Sequence, residues 1–114
     1  MVVYEEPKKV NREEILKKFA SGRSNDICDA LVSMAVYEDG WKWCQDQCLY
    51  FLDHSDPNVR GVAATCLGHI ARIHQSLERE RVVNALLLHL NDKEISGIVA
   101  DALDDIKMFI VQRK

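Results

Sequence analysis

The residues of this chain that could do chemistry are four histidines, four cysteines and a run of aspartates near the C-terminal end. His54, His69, His74 and His89 invite a metal or acid–base reading. On a helix, His69 and His74 point about 140° apart and do not chelate one ion together. Cys44 and Cys48 lie one helical turn apart and could offer two thiolates to a metal. No partner pair follows at zinc-type spacing. Cys28 and Cys66 fall on helix faces that read as buried, where a free cysteine behaves as a small apolar residue. There is no glycine-rich phosphate loop and no serine elbow. A Cys–His nucleophile stays open, although every cysteine has a core position available. The expectation is no metal, no cofactor, no small-molecule substrate and no catalysis. Asp101, Asp104 and Asp105 are the sharper feature. Their spacing sets three like charges within one turn of neighbouring surface, where they repel. Such a cluster suits a cation arriving from outside, or else it is a solvated helix face.

The elements that must position these groups are almost all helical. Asn11 precedes Glu14 by three residues in a capping-box-like start, Ile15, Leu16 and Phe19 mark one face, and Ser21-Gly22 closes the helix. Ser24 or Asn25 is expected to cap a second helix with Ile27, Cys28, Leu31, Met34 and Ala35 on its apolar face. Tyr37 to Gly40 reads as a turn, with Gly40 free to take a left-handed conformation. A third helix spans about Trp41 to Leu52, with Trp41, Cys44, Cys48 and Leu52 on one side. Trp43 and Tyr50 fall on the other side, either exposed as an aromatic pair or covered by the N-terminal segment. Asp56-Pro57 starts a fourth helix, because Asp56 can accept from free first-turn amides and Pro57 loses no needed donor. That helix ends near His74, a fifth starts at Ser76 or Leu77, and a sixth carries Ile95 through Ile110.

The chain has 114 residues, 47% apolar and 29% charged, with a formal charge of −3, which fits one soluble globular domain. Residues 1–23 hold six bases and four acids; residues 38–56 and 82–106 each hold five acids and one base. From Lys107 onward the chain is basic. An acidic middle does not suit a phosphate-tracking groove, so no nucleic-acid partner is expected. It suits a cationic protein partner, or an ordinary solvated surface. The start lacks an apolar stretch of signal-peptide length, and no apolar run is long enough to span a membrane. The expectation is a cytoplasmic protein without a membrane partner, in which disulfides do not form.

The fourth and sixth helices align at an offset of 36 residues. Asp56 pairs with Asp92, Val59 with Ile95, Gly61 with Gly97, Val62 with Ile98, Cys66 with Ala102, Leu67 with Leu103 and Ile70 with Ile106. The same shift backwards places Leu31 on Leu67 and Met34 on Ile70, more weakly. Three helix pairs, each too thin to bury its own face, are expected to stack as a short solenoid. Small residues at 30, 64, 66, 100 and 102 let neighbouring helices approach. The shift also makes two ladders, Asp29–Thr65–Asp101 and Ser33–His69–Asp105, with Arg72 one turn beyond His69.

The stretch from Leu52 to Ile70 resembles a HEAT repeat on Asp56, Pro57, Val59, Arg60, Ala63, Ala64, Leu67 and Gly68. The last repeat keeps the aspartate and apolar signals but has Lys93 for the proline and Ser96 for the arginine. The resemblance implies an all-α, short right-handed α-solenoid of about three antiparallel helix pairs. One domain would cover residues 1–114: an N-terminal helix region at 1–23, the repeat stack at 24–110 and a basic tail at 111–114. HEAT-type hydroxylases hold iron through His-Glu pairs; here Ser55, Ile70, Gln75 and Leu90 follow the four histidines, and the pattern is absent.

Trp41-Lys42-Trp43, Thr65 to His74 and Asp101 to Ile106 are similar to segments of compact HEAT-type immunity proteins encoded beside bacterial polymorphic and contact-dependent toxins. That likeness implies a protein-binding module that neutralises a cognate toxin domain, with a nuclease-type, cationic toxin expected. From the residues themselves, the partner-binding set is Asp29, Glu38, Asp39, Trp43, Tyr50, His69, Arg72, Asp101, Asp104 and Asp105. Tryptophan and tyrosine would serve as anchors, and Glu38 and Asp39 as an acidic rim. The alternative is a HEAT-type scaffold or lyase accessory; an absorption spectrum with a bound chromophore would favour it.

Overall fold

A computed structural model of the chain describes residues 11–110. Among the described residues there are six helices and no strand: α1 Arg12–Ala20, α2 Ser24–Tyr37, α3 Trp41–Phe51, α4 Pro57–His74, α5 Arg79–Leu87 and α6 Ser96–Phe109. The first ten residues of the expected N-terminal region 1–23, and the whole expected basic tail 111–114, lie outside these residues.

Two helices start where their local sequence dictates. The Glu14 backbone N–H donates to Asn11 Oδ1 at 2.9 Å, and the Asn58 N–H donates to Asp56 Oδ1 at 2.9 Å with Pro57 in the first turn. Other boundaries answer to distant residues. At α2 the cap position belongs to Arg23 instead of Ser24 or Asn25, and Arg23 Nε donates to Asp26 at 2.8 Å. Helix α5 begins at Arg79, two or three residues later than expected. The reason is Gln45 of α3, whose Oε1 accepts the Glu78 N–H at 2.7 Å and fixes residue 78 as the cap. Gly40 is not left-handed, with φ −77°. A Cβ there would meet Arg12 Nη2 at 2.5 Å and Glu38 Oε1 at 3.2 Å, so glycine serves close approach. The left-handed positions among the described residues are Gly22 and Gln75, which close α1 and α4.

Helix α4 lies at the centre and packs against α2, α3 and α6. Helix α1 packs on α2, and α5 on α3 and α6. Leu31, Met34, Val59, Leu67, Ile70, Val82, Leu86 and Val99 are sealed from solvent in one core. Ala30, Ala64, Cys66 and Ala102 are buried where helices meet, as the small-residue pattern implied, but Ala100 is exposed on the outer side of α6. Leu87, the last residue of α5, and Leu90, in the turn that follows, are also exposed.

Glycines set the α4–α6 contact. A Cβ at Gly61 would come 3.1 Å from Ile98 Cδ1, and one at Gly68 would come 2.7 Å from Asp105 Oδ2 and 3.5 Å from Ala102 Cα. Both contacts match residues of α4 to residues of α6 close to the 36-residue offset. The two helices therefore run side by side in the same direction.

Polar links tie successive helices together. Arg12 donates to Glu38 Oε1 through Nε at 3.1 Å and Nη2 at 2.8 Å. Arg81 reaches Asp46 at 2.7 Å and Glu78 at 3.0 Å. Arg60 Nε donates to Asp92 at 3.0 Å, and its Nη1 donates to the carbonyls of His54 and Ser55. These partners hold carboxyls below their ordinary range. Arg23 does so for Asp26, Arg12 for Glu38, the Ser24 hydroxyl and the Asn58 N–H for Asp56, and Gln45 with Arg81 for Glu78. At Asp92, burial pushes the carboxyl up, but the Arg60 hydrogen bond and the Glu94 N–H outweigh it.

A depressed carboxyl stabilises the fold above its unfolded value, and that stability is lost as pH falls through the folded value. His69 is also depressed, mainly by burial, from 6.5. The unfolded chain therefore takes up a proton there first, and stability begins to fall below about pH 6.5. The expected outcome is a urea midpoint that declines slightly between about pH 6.5 and 5 and steeply below about pH 4.5. Equal midpoints at about pH 7 and pH 3 would contradict these assignments.

Candidate functional site

Three helices present equivalent positions on one side of the molecule. Asp29 of α2, Thr65 of α4 and Asp101 of α6 are all exposed. The same spacing one turn on gives Ser33, His69 and Asp105, which behave differently. Ser33 is buried at 7% exposure, while His69 and Asp105 are half-buried. The second ladder therefore reaches the surface on α4 and α6 and not on α2. Asp105 is held against Gly68, where a missing side chain leaves room for its carboxylate. Burial lowers His69, the neighbouring Arg72 adds to that, and Asp105 opposes it. The Arg72 guanidinium lies against His69 Nδ1. Asp104 is exposed. Among the described residues, Asp29, Asp39, Asp101, Asp104 and Asp105 take part in no ion pair. The face thus presents carboxylates that this part of the chain leaves uncompensated.

The second expected group does not converge. Glu38 is half-buried and turned inward, accepting from Arg12 and from the Gly40 N–H at 3.2 Å, so it is not a free rim acid. Trp43 is half-buried, packed on the core, with the Arg12 guanidinium 4.5 Å from its ring centroid. Of the two alternatives for this pair, Trp43 takes the covered one, with Arg12 of α1 lying over it, as a cation over an indole face is favourable, so the two rings do not form an exposed pair. Tyr50 is 68% exposed and stands edge-on to Phe51 at 5.1 Å. Asp39 is exposed at the opposite end of α3, roughly 15 Å away by helical rise.

Two features escaped the sequence reading. Gln45 is fully buried, and only its distant partner Glu78 explains it. A groove of about 460 Å³ runs between α4 and α6, lined by Pro57, Gly61, Val62, Thr65, Glu94 and Ile98 among others. The 36-residue repeat was the available signal for that groove, because it sets those two helices side by side.

The cysteines are all free thiols. Burial pushes Cys44 up to about 12. A hydrogen bond with Cys66, together with burial, holds Cys48 well above its ordinary value. Thiols so raised are poor nucleophiles and poor metal ligands at neutral pH. Among the described residues, no three His, Cys, Asp or Glu side chains converge as a metal-ion site. No helix among them is long and apolar enough to cross a membrane.

No family model matches the sequence, and no curated protein matches it. The fold matches a chain in the crystal structure of a CDI complex from Cupriavidus taiwanensis LMG 19424, with a TM-score of 0.86. The two chains are 32% identical over 97% of this chain and 100% of that one. At that identity across the whole of its counterpart, the protein belongs to the same family as this component of the Cupriavidus taiwanensis CDI complex.

Proposed function

We propose that this protein is an immunity protein that binds a toxin domain stoichiometrically and neutralises it, without turnover of its own. The whole-chain likeness to a component of a CDI complex carries this reading. Raised thiols and scattered histidines fit a binding role better than a catalytic one. In this reading the six helices are a right-handed, HEAT-like stack of three antiparallel pairs, working in the cytoplasm. The contacts of α2 with α4 and of α4 with α6 support that arrangement. The toxin is a cationic, nuclease-type domain. An enzyme that grips a polyanion carries positive charge at its active site, and the carboxylates of Asp29, Asp101, Asp104 and Asp105 offer a substitute for phosphates.

The test pairs the protein with the toxin domain encoded in the neighbouring reading frame. Expression of this chain should rescue cells from that domain. The triple change Asp101→Asn, Asp104→Asn and Asp105→Asn should weaken binding roughly 10- to 100-fold and flatten its salt dependence. Unchanged affinity with unchanged salt dependence would remove the acidic stripe from the mechanism. Failure of the unaltered chain to rescue growth or bind would remove the immunity reading itself.

A further inference from the structure

The α4–α6 groove shares Thr65 with the exposed ladder, and Asn58, Thr65 and Glu94 are the polar residues of its lining. Its floor is apolar: Pro57, the bare backbone of Gly61, half-buried Val62 and Ile98, which is 37% exposed. Gly61 keeps the floor open, because any side chain there would press on Ile98. One end is acidic. Glu94 lines one end with its side chain 61% exposed, and its carboxylate stands 3.7 Å from an Arg60 whose close bond goes to Asp92 instead. Asp101 does not line the groove; it is exposed on α6 beyond it, and the glycine contacts, which set α6 beside α4, put it level with Thr65.

An apolar trough with a carboxylate at one end and a second just beyond its lining matches an amphipathic chain with an alkyl stem and a cationic head. It does not match an acidic or a wholly aliphatic group. The surrounding segment, residues 82–106, carries five acids and one base, which adds long-range attraction for the same charge.

We propose that this groove takes one long basic side chain, arginine or lysine, from the partner protein. Its stem lies on Val62 and Ile98, and its charged head reaches Glu94 or Asp101. This deepens the toxin-binding reading, on which it rests, by naming what the toxin inserts. Thr65 stands at the mouth, exposed and on α4, so it controls access without contributing to the core.

An NMR titration of the full chain with the peptide acetyl-Gly-Ser-Arg-Ser-Gly-amide tests the groove without needing a toxin. A second peptide with norleucine in place of arginine is the control. Saturable shifts are expected at the amides of Gly61, Val62, Thr65 and Ile98, at least about fivefold weaker with norleucine. The change Thr65→Arg, which places the chain's own cation at the mouth, should abolish them while the circular dichroism spectrum stays the same. Shifts located elsewhere, no saturable shift, an equal response to norleucine, or an undisturbed Thr65→Arg variant would each overturn the proposal. With the toxin domain itself, Thr65→Arg should weaken binding at least about tenfold. If that variant binds the toxin as the unaltered chain does, the groove is refuted and the immunity reading stands. If the unaltered chain binds no toxin, the immunity reading falls, and the peptide titration still decides the groove.

Discussion

Replacing Leu67 by alanine is expected to destabilise the fold by about 3–5 kcal/mol, the range for a buried leucine whose surroundings cannot collapse onto the space it leaves. Leu67 is completely enclosed. It sits on α4, which packs against helices on three sides, so no wall can move inward without disturbing another contact. Leu31, at the equivalent position of α2, is just as enclosed, and the same change there should cost nearly as much. Leu103 completes the series on α6 but is only half-buried, because no further helix covers that side among the described residues. Its replacement should cost about 1–2 kcal/mol, since less apolar surface leaves water on folding. Urea unfolding of the three variants gives the order directly. Equal losses at 67 and 103 would mean that α6 is as well covered as α4, contrary to the exposures.

The repeated spacing that aligns these leucines was readable from the residues alone, because side-chain burial on a helix follows a local period. So were the starts of α1 and α4, where Asn11 and Asp56 lie next to the amides they serve. What the local pattern could not carry is partnership across the chain. Trp43 was placed on the solvent side of α3 correctly as a matter of helical phase. Arg12, thirty-one positions earlier, then folds over it. The same arginine removes Glu38 from the set of free acids. Ser33 shares the phase of His69 and Asp105, yet it is buried, so equal phase did not give equal exposure on α2, α4 and α6. Asp29, Asp101 and Asp104 came through as exposed because nothing distant claims them among the described residues.

Gln45 shows the same limit most clearly, and its replacement is the sharper stability test. A fully buried amide on α3 looks like an error of patterning until Glu78 is placed beside it. Its Oε1 accepts the Glu78 N–H at 2.7 Å and its Nε2 donates to Glu78 Oε1 at 2.7 Å. Leucine at this position fills a similar volume but offers no acceptor, leaving the Glu78 N–H without its partner at the start of α5. The expected loss for Gln45→Leu is about 2–3 kcal/mol, the cost of an orphaned donor together with the lost amide bonds. Because the damage is local, hydrogen exchange should quicken through Arg79–Leu87 while α4 stays protected. A variant as stable as the unaltered chain, with unchanged exchange in α5, would show that packing alone sets where that helix begins. The carboxylate face lies on α2, α4 and α6, away from this link. Toxin binding by the folded Gln45→Leu protein should therefore stay within about twofold of normal. That separates it from the aspartate substitutions, which should leave stability nearly untouched and weaken binding.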